Sequence, residues 1–273
     1  MVFLKRVFDF YINSNLHVSI AAFCLTKLTL FLYSVDENNI PFFVFFATLI
    51  SYNFIRFYNI KTIKSNMSVW IKSNKQLLIL INFISILFLI KLSFKLKTAS
   101  YMILTPFIFA TFFYSVPFLF KRKSLRNTTG LKLFLIAITW AGVTVLLPLK
   151  NAEISFSNDV WIIFVQRFLF LFAITISFDI RDVDFDTPEI KTIPQIFGVR
   201  KSKFIGIIAL LLFLMMEFLK IAEIKNARMV LLVLTIVSIL FLVFSKKKQS
   251  KYYSSFWIES LPILWFLLSI YLE

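Results

Sequence analysis

Residues 159–186 read DVWIIFVQRFLFLFAITISFDIRDVDFD. Between Asp159 and Asp179 the run carries a single charge, Arg167. A helix needs about 20 mostly apolar residues to cross the hydrocarbon of a bilayer. The run therefore predicts a membrane span, and the acidic cluster behind it marks where the chain leaves the lipid. The same pattern recurs on both sides, giving nine runs at roughly 16–34, 41–59, 76–93, 98–120, 130–149, 159–179, 202–222, 227–245 and 255–272. Pro41, Gly130, Asn158, Pro188, Pro194 and the Lys246–Lys248 run punctuate them as start and stop signals. The expectation is an all-α integral membrane protein, a bundle of about nine transmembrane helices in one polytopic domain covering 1–273.

Composition agrees. The 273 residues are 59% hydrophobic and 16% charged, whereas soluble domains run near ~45–50% and ~25%. Mean hydropathy is +0.84. Such a chain is neither an ordinary soluble domain nor disordered. The net charge of +16 does not point to nucleic acid, because the basic residues sit mainly in short loops between apolar runs. With the N-terminus inside, the inner loops carry 20 Lys and Arg and the outer ones 7. The positive-inside rule then predicts a cytoplasmic N-terminus and an outer C-terminus. The first apolar run lacks a small-residue cleavage site, so no removable signal peptide is expected. A Lys/Ile/Phe/Asn bias without a targeting arm suggests a bacterial inner membrane.

Five of the 14 acidic residues fall between Asp179 and Glu189. At 100° per residue Asp179, Asp182 and Asp186 stand at about 0°, 300° and 340° on a helix, and Asp184 at about 140°. Three carboxylates on one stripe at the end of a span are costly unless a cation neutralises them. Mg²⁺ takes such oxygen ligands, typically one or two carboxylates plus substrate phosphates. A solvated boundary cluster paired off by Arg181 and Lys191 is the plainer alternative.

The pattern Asp179-x-Arg181-Asp182-x-x-x-Asp186, followed by Lys191-Thr192-Ile193-Pro194 and Gly198, resembles the second aspartate-rich motif of the UbiA-type intramembrane prenyltransferases. Tyr114-Ser115, Pro117, Gly130, Lys132 and Trp140-Ala141 resemble that family's fourth-to-fifth span region, and nine spans with a cytoplasmic N-terminus match its architecture. The resemblance implies a polyprenyl diphosphate bridged by Mg²⁺ between two aspartate motifs, ionised to an allylic cation that alkylates an acceptor. It implies Asp179, Asp182 and Asp186 as metal ligands, with Asp182 and Arg181 at the reacting centre and Lys191 on the diphosphate. Metal and cations would stabilise the leaving diphosphate, and an apolar cavity lined by some of the 36 phenylalanines would shelter the cation.

The family's first motif, N-D-x-x-D-x-x-x-D, is altered. The corresponding stretch reads YNFIRFYNIK over 52–61: Asn53 matches, and Phe54, Phe57 and Lys61 replace the aspartates. No acidic residue occurs between Asn38 and Lys150. Either Asn53 and Arg56, with Lys61 and Lys64, contact the diphosphate directly and replace one metal, or the fold is kept to bind an isoprenoid or a membrane partner without catalysis. A transporter with an acidic vestibule is a third reading, disfavoured because transporter sites usually lie near the midplane.

Lys27 and Arg167, charges inside spans, are functional-site hypotheses by default. Lys27 can also snorkel, and Arg167 lies about 18 Å from Asp179 along the axis, where an interior structural pair is expected. Tyr114, Asn82 and Lys132 are candidates for the cavity wall by position. A lone His17 and a lone Cys24 supply neither a zinc set nor a catalytic triad.

Overall fold

The computed structural model describes residues 2–58, 65–116, 130–186, 190–221 and 226–272. Every regular element among them is helical: α1 (Val2–Asn13), α2 (Leu16–Leu32), α3 (Asn39–Tyr58), α4 (Ser65–Ser73), α5 (Lys75–Ser93), α6 (Thr98–Ser115), α7 (Leu131–Ala141), α8 (Leu147–Asn151), α9 (Asn158–Asp182), α10 (Ile193–Met215), α11 (Ala227–Phe244) and α12 (Leu261–Tyr271). Two π-helical turns, Gly142–Leu146 and Tyr253–Ile258, join α7 to α8 and lead into α12.

Seven helical stretches are long and apolar enough to cross a membrane, or eight if α1 and α2, bent by 57°, form one span. A ninth apolar helix, Thr98–Tyr114, is shorter; the rest of the expected run over 98–120 lies mostly outside the described residues. The nine apolar runs thus each coincide with a helix. Sequence reading did not foresee α1 and α4, which are too short to span.

α9 is the central element. Its Phe170 meets Phe213 of α10 and Trp265 of α12 with ring centroids 5.1 to 5.5 Å apart, and all three rings are buried. α5 lies at the periphery, with Leu80, Phe83, Leu87 and Ile90 about half exposed; an apolar face without protein neighbours is one that lipid covers.

Both π-turns precede a proline, Pro148 and Pro262. Proline lacks the N–H that would bond the carbonyl four residues back, and its ring crowds that carbonyl. At Pro148 that carbonyl belongs to Thr144, and the Thr29 hydroxyl donates to it at 2.7 Å. Arg167, fully buried, fills the same joint: its guanidinium donates to Leu25 O at 2.9 Å and Thr144 Oγ1 at 3.1 Å and lies over the Trp265 ring at 4.7 Å. Among the described residues it has no carboxylate partner, so the expected interior pairing takes the form of hydrogen bonds and a cation–π contact. Lys27 snorkels: its ammonium donates to Glu37 O at 3.2 Å in the turn beyond α2.

Candidate active site

α9 ends in the acidic stripe. Asp179 is buried, 1% exposed, and the Lys132 ammonium of α7 lies 2.8 Å from its Oδ1 and 2.7 Å from Oδ2 of Asp186. Two of the three stripe carboxylates therefore converge on one cation position, although α9 ends at Asp182 and Asp186 stands in the turn behind it. The third does not join them. Asp182 is gripped by its neighbour Arg181, whose Nε and Nη2 donate to the two carboxylate oxygens at 3.0 and 2.8 Å. Asp184 points away and pairs with Lys247 at 2.8 Å on the surface.

The segment behind the stripe is a backbone device. Thr192 and Gln195 form a capping box at the start of α10, and Gln195 Nε2 donates to Asp186 O at 2.9 Å. Gly198 breaks the helix at φ 77°, a conformation that L side chains rarely adopt. Gly130 N donates to Ile190 O at 3.2 Å, docking the start of α7 on this reversal. The Lys-Thr-x-Pro…Gly residues thus fix where Asp186 and Lys132 meet. Lys191, expected on the diphosphate, is exposed and sits in the left-handed region at φ 47°.

α3 brings the altered first motif to the same end. Asn53 is 2% exposed and its amide is committed within the protein: Asn15 Nδ2 donates to its Oδ1 at 2.8 Å, and its Nδ2 donates to Asn82 Oδ1 at 3.3 Å. A diphosphate role for Asn53 would require breaking this ladder, which joins the turn before α2 to α3 and α5. Arg56 donates to the Asn13 carbonyl and lies within electrostatic reach of Tyr52, Arg181 and Glu259. Tyr114 of α6 stands near both Tyr52 and Lys132, and Tyr52 packs edge-on to Trp140 at 6.3 Å. Lys61, Lys64 and Pro117 lie outside the described residues.

The last span supplies what sequence reading missed. Arg181 Nη1 donates to Ser255 Oγ at 3.3 Å, and Gln249 Nε2 to Ser177 O at 3.2 Å. His17 is an interface group: Tyr11 hydroxyl and Phe256 carbonyl flank its ring at 2.7 and 3.1 Å. Glu259 stands one turn beyond Ser255, on the same helical face, within reach of the charges of Arg56 and Arg181. A lone acid inside an apolar run is itself the signal that could have found it.

Among the described residues no three acidic, histidine or cysteine side chains are grouped to hold a metal ion. The Asp179–Asp186 pair nevertheless fits a magnesium-like cation. Its donors are carboxylate oxygens, an ammonium already stands between them, and Asp179 Oδ2 is buried without a hydrogen-bond partner. Two carboxylates are a usual protein contribution to a Mg²⁺ site that also uses substrate phosphates. Asp182, the third expected ligand, accepts from Arg181 on both of its oxygens.

Comparison with curated proteins returns no match. Among solved structures, one described as giving structural and mechanistic insights into the biosynthesis of digeranylgeranylglyceryl phosphate synthase in membranes matches with a TM-score of 0.57 and 15% identity, over 98% of each chain. At that identity the likeness concerns the fold. The profile of the UbiA prenyltransferase family matches residues 71–268. That stretch holds the acidic stripe, Lys132 and most of the last span, and on it the chain belongs to the UbiA prenyltransferase family.

Proposed function

We propose that this integral membrane protein is a prenyltransferase that moves an isoprenyl group from its diphosphate to an acceptor, at the end of the bundle where α3, α7, α9 and the last span meet. The observation that carries this reading is the convergence there of the Asp179–Lys132–Asp186 cluster with Arg181 and Arg56, a charged end on an apolar bundle. A diphosphate carries roughly −3 charge, and planar guanidinium groups match its oxygens in bidentate fashion. Arg181, oriented by Asp182, and Arg56, anchored on the Asn13 carbonyl, would hold it. Asp179 and Asp186 would hold Mg²⁺, which when bound neutralises charge on the departing diphosphate. Tyr52 and Trp140 offer aromatic faces to an allylic cation, and the surrounding apolar side chains keep water from it. The loop charges support an inner end facing the cytoplasm, and the residue bias supports a bacterial plasma membrane.

A second reading, a binding relative without catalysis, draws on one specific feature: Asn53 and the stripe are already satisfied by the chain's own groups. Binding of geranylgeranyl diphosphate to detergent-purified protein, with and without Mg²⁺, decides. The expected result is binding strengthened by Mg²⁺, and weakened at least about tenfold by Asp182→Asn, which releases Arg181 from its fork. Folded wild-type protein that binds no diphosphate under either condition overturns the reading.

A further inference from the structure

Glu259 is an acid close to Arg56 and Arg181 that the prenyl-transfer reading leaves unused. It lies at the junction between the π-turn Tyr253–Ile258 and α12, where Pro262 resets the helix. Its neighbours in the chain are pinned: Ser255 accepts from Arg181, and Ser260 Oγ donates to Phe256 O at 2.7 Å and meets His17 Nε2 at 3.2 Å. The residue is half-buried, and its carboxylate is surrounded by protein. Among the described residues it makes no hydrogen bond and no ion pair within 4.0 Å, although the charges of both Arg56 and Arg181 act on it.

Neither arginine needs Glu259 to orient it. Arg181 is held by Asp182 and lies over the Phe178 ring at 5.2 Å, and Arg56 is held by the Asn13 carbonyl. What Glu259 supplies is charge. α3 lacks every acidic residue of the aspartate pattern and carries Arg56 instead. The Arg56 and Arg181 charges repel each other, and the one carboxylate that acts on both offsets that repulsion.

We infer that Arg56 and Glu259 together replace the carboxylate-held cation that α3 no longer provides, with Arg56 as the cation that contacts a diphosphate and Glu259 as its built-in counter-anion. The inference rests on the prenyl-diphosphate reading and assigns the α3 side of that site to two opposite charges that act on each other through space, leaving Asp179 and Asp186 as the metal side. An anion that shares Arg56 with Glu259 competes with it. Removing the carboxylate charge therefore favours the ligand, whereas removing the guanidinium leaves an unpaired carboxylate facing the ligand.

Binding of geranylgeranyl diphosphate, with inorganic pyrophosphate as the tail-free probe, tests this at saturating Mg²⁺ in folded, monodisperse protein. Glu259→Gln is expected to bind about five- to tenfold tighter than wild type, and Arg56→Gln at least about thirtyfold weaker. The double variant Arg56→Gln/Glu259→Gln is expected to bind better than Arg56→Gln alone, since the repelling charge has gone. A merely structural pair would instead weaken binding in both single variants. If Arg56→Gln does not fold, Arg56→Lys, which keeps the charge and loses the fork, is expected to bind more weakly than wild type and to be improved by Glu259→Gln. Glu259→Gln binding no tighter than about twofold over wild type, or a double variant no better than the arginine variant, overturns the inference while leaving the prenyltransferase reading in place. Wild-type protein that binds neither probe overturns both.

Discussion

Lys132 shows how one residue decides what an acidic stripe is. Asp179 in the last turn of α9 and Asp186 in the turn behind it converge on one point, and without the ammonium they would face each other with little water between them. Removing one partner of a buried, hydrogen-bonded ion set costs about 3–5 kcal/mol, because the remaining charge is left uncompensated. Lys132→Met is therefore expected to lower the thermal midpoint markedly in detergent, and Lys132→Met/Asp179→Asn to recover part of the loss. Asp184→Asn breaks only the Lys247 pair, whose side chains are 61% and 50% exposed, and exposed pairs contribute about 0–1 kcal/mol; its midpoint should match wild type. Equal losses in Lys132→Met and Asp184→Asn would contradict the burial argument. The acidic cluster was legible because its members are close in the chain, but the 100° periodicity used to align them stops at Asp182, where α9 ends. The cluster's partner was not legible, since nothing in the chain between Lys132 and Asp179 marks the two as neighbours. Glu259 was missed for another reason: attention to clustered acids passes over a single one inside an apolar run, although burial makes that single charge the more expensive.

At the scale of the element, the two π-turns show how a span can be long enough by count and still be irregular. Hydropathy over 130–149 predicts one span and finds one, 131–151, but cannot tell that Pro148 opens the helix at Thr144. The freed Thr144 carbonyl is answered by a hydroxyl from α2, and the Arg167 guanidinium packs beside it. A buried carbonyl left without its donor costs about 1–3 kcal/mol. Thr29→Val is expected to destabilise the protein by that amount in thermal or denaturant unfolding. In a Pro148→Ala background the penalty should shrink, because the new Ala N–H is placed to donate to the same carbonyl; a cost that stays the same in both backgrounds would show that the Thr29 hydroxyl acts elsewhere. Gly142 belongs to the same joint. A Cβ there would stand 1.9 Å from the tip of the Phe107 ring, so the ring of α6 lies over the π-turn where it does because position 142 has no side chain.

For the whole molecule, the distribution of charge between its two ends decides which side each end is expected to face. The charged site, the Lys246–Lys248 run and α1 share one end: Asp9 of α1 is bound by Lys251 and by Tyr252 hydroxyl at 2.6 Å. α1 bends away from α2 by 57° and exposes Phe3, Leu4 and Val7 next to Lys5 and Arg6. A helix of 12 residues is about 18 Å long, too short to span, and this mixture of apolar and basic side chains suits the plane of the lipid interface. The opposite end carries the Asp36–Glu37 turn and smaller, paired charges such as Lys97 with Glu153 at 2.9 Å. An excess of lysine and arginine holds its end of a bundle in the cytoplasm, so the site end is expected to face inward. The native thiol, Cys24, is buried and can be removed as Cys24→Ala, so single thiols can report the two ends. In intact cells a membrane-impermeant maleimide should label Asp36→Cys and leave Lys248→Cys untouched until the membrane is permeabilised. The reverse pattern would turn the molecule over and place its arginines, Lys132 and the acidic stripe on the outer side, away from the cytosolic pool from which an isoprenyl diphosphate would be drawn.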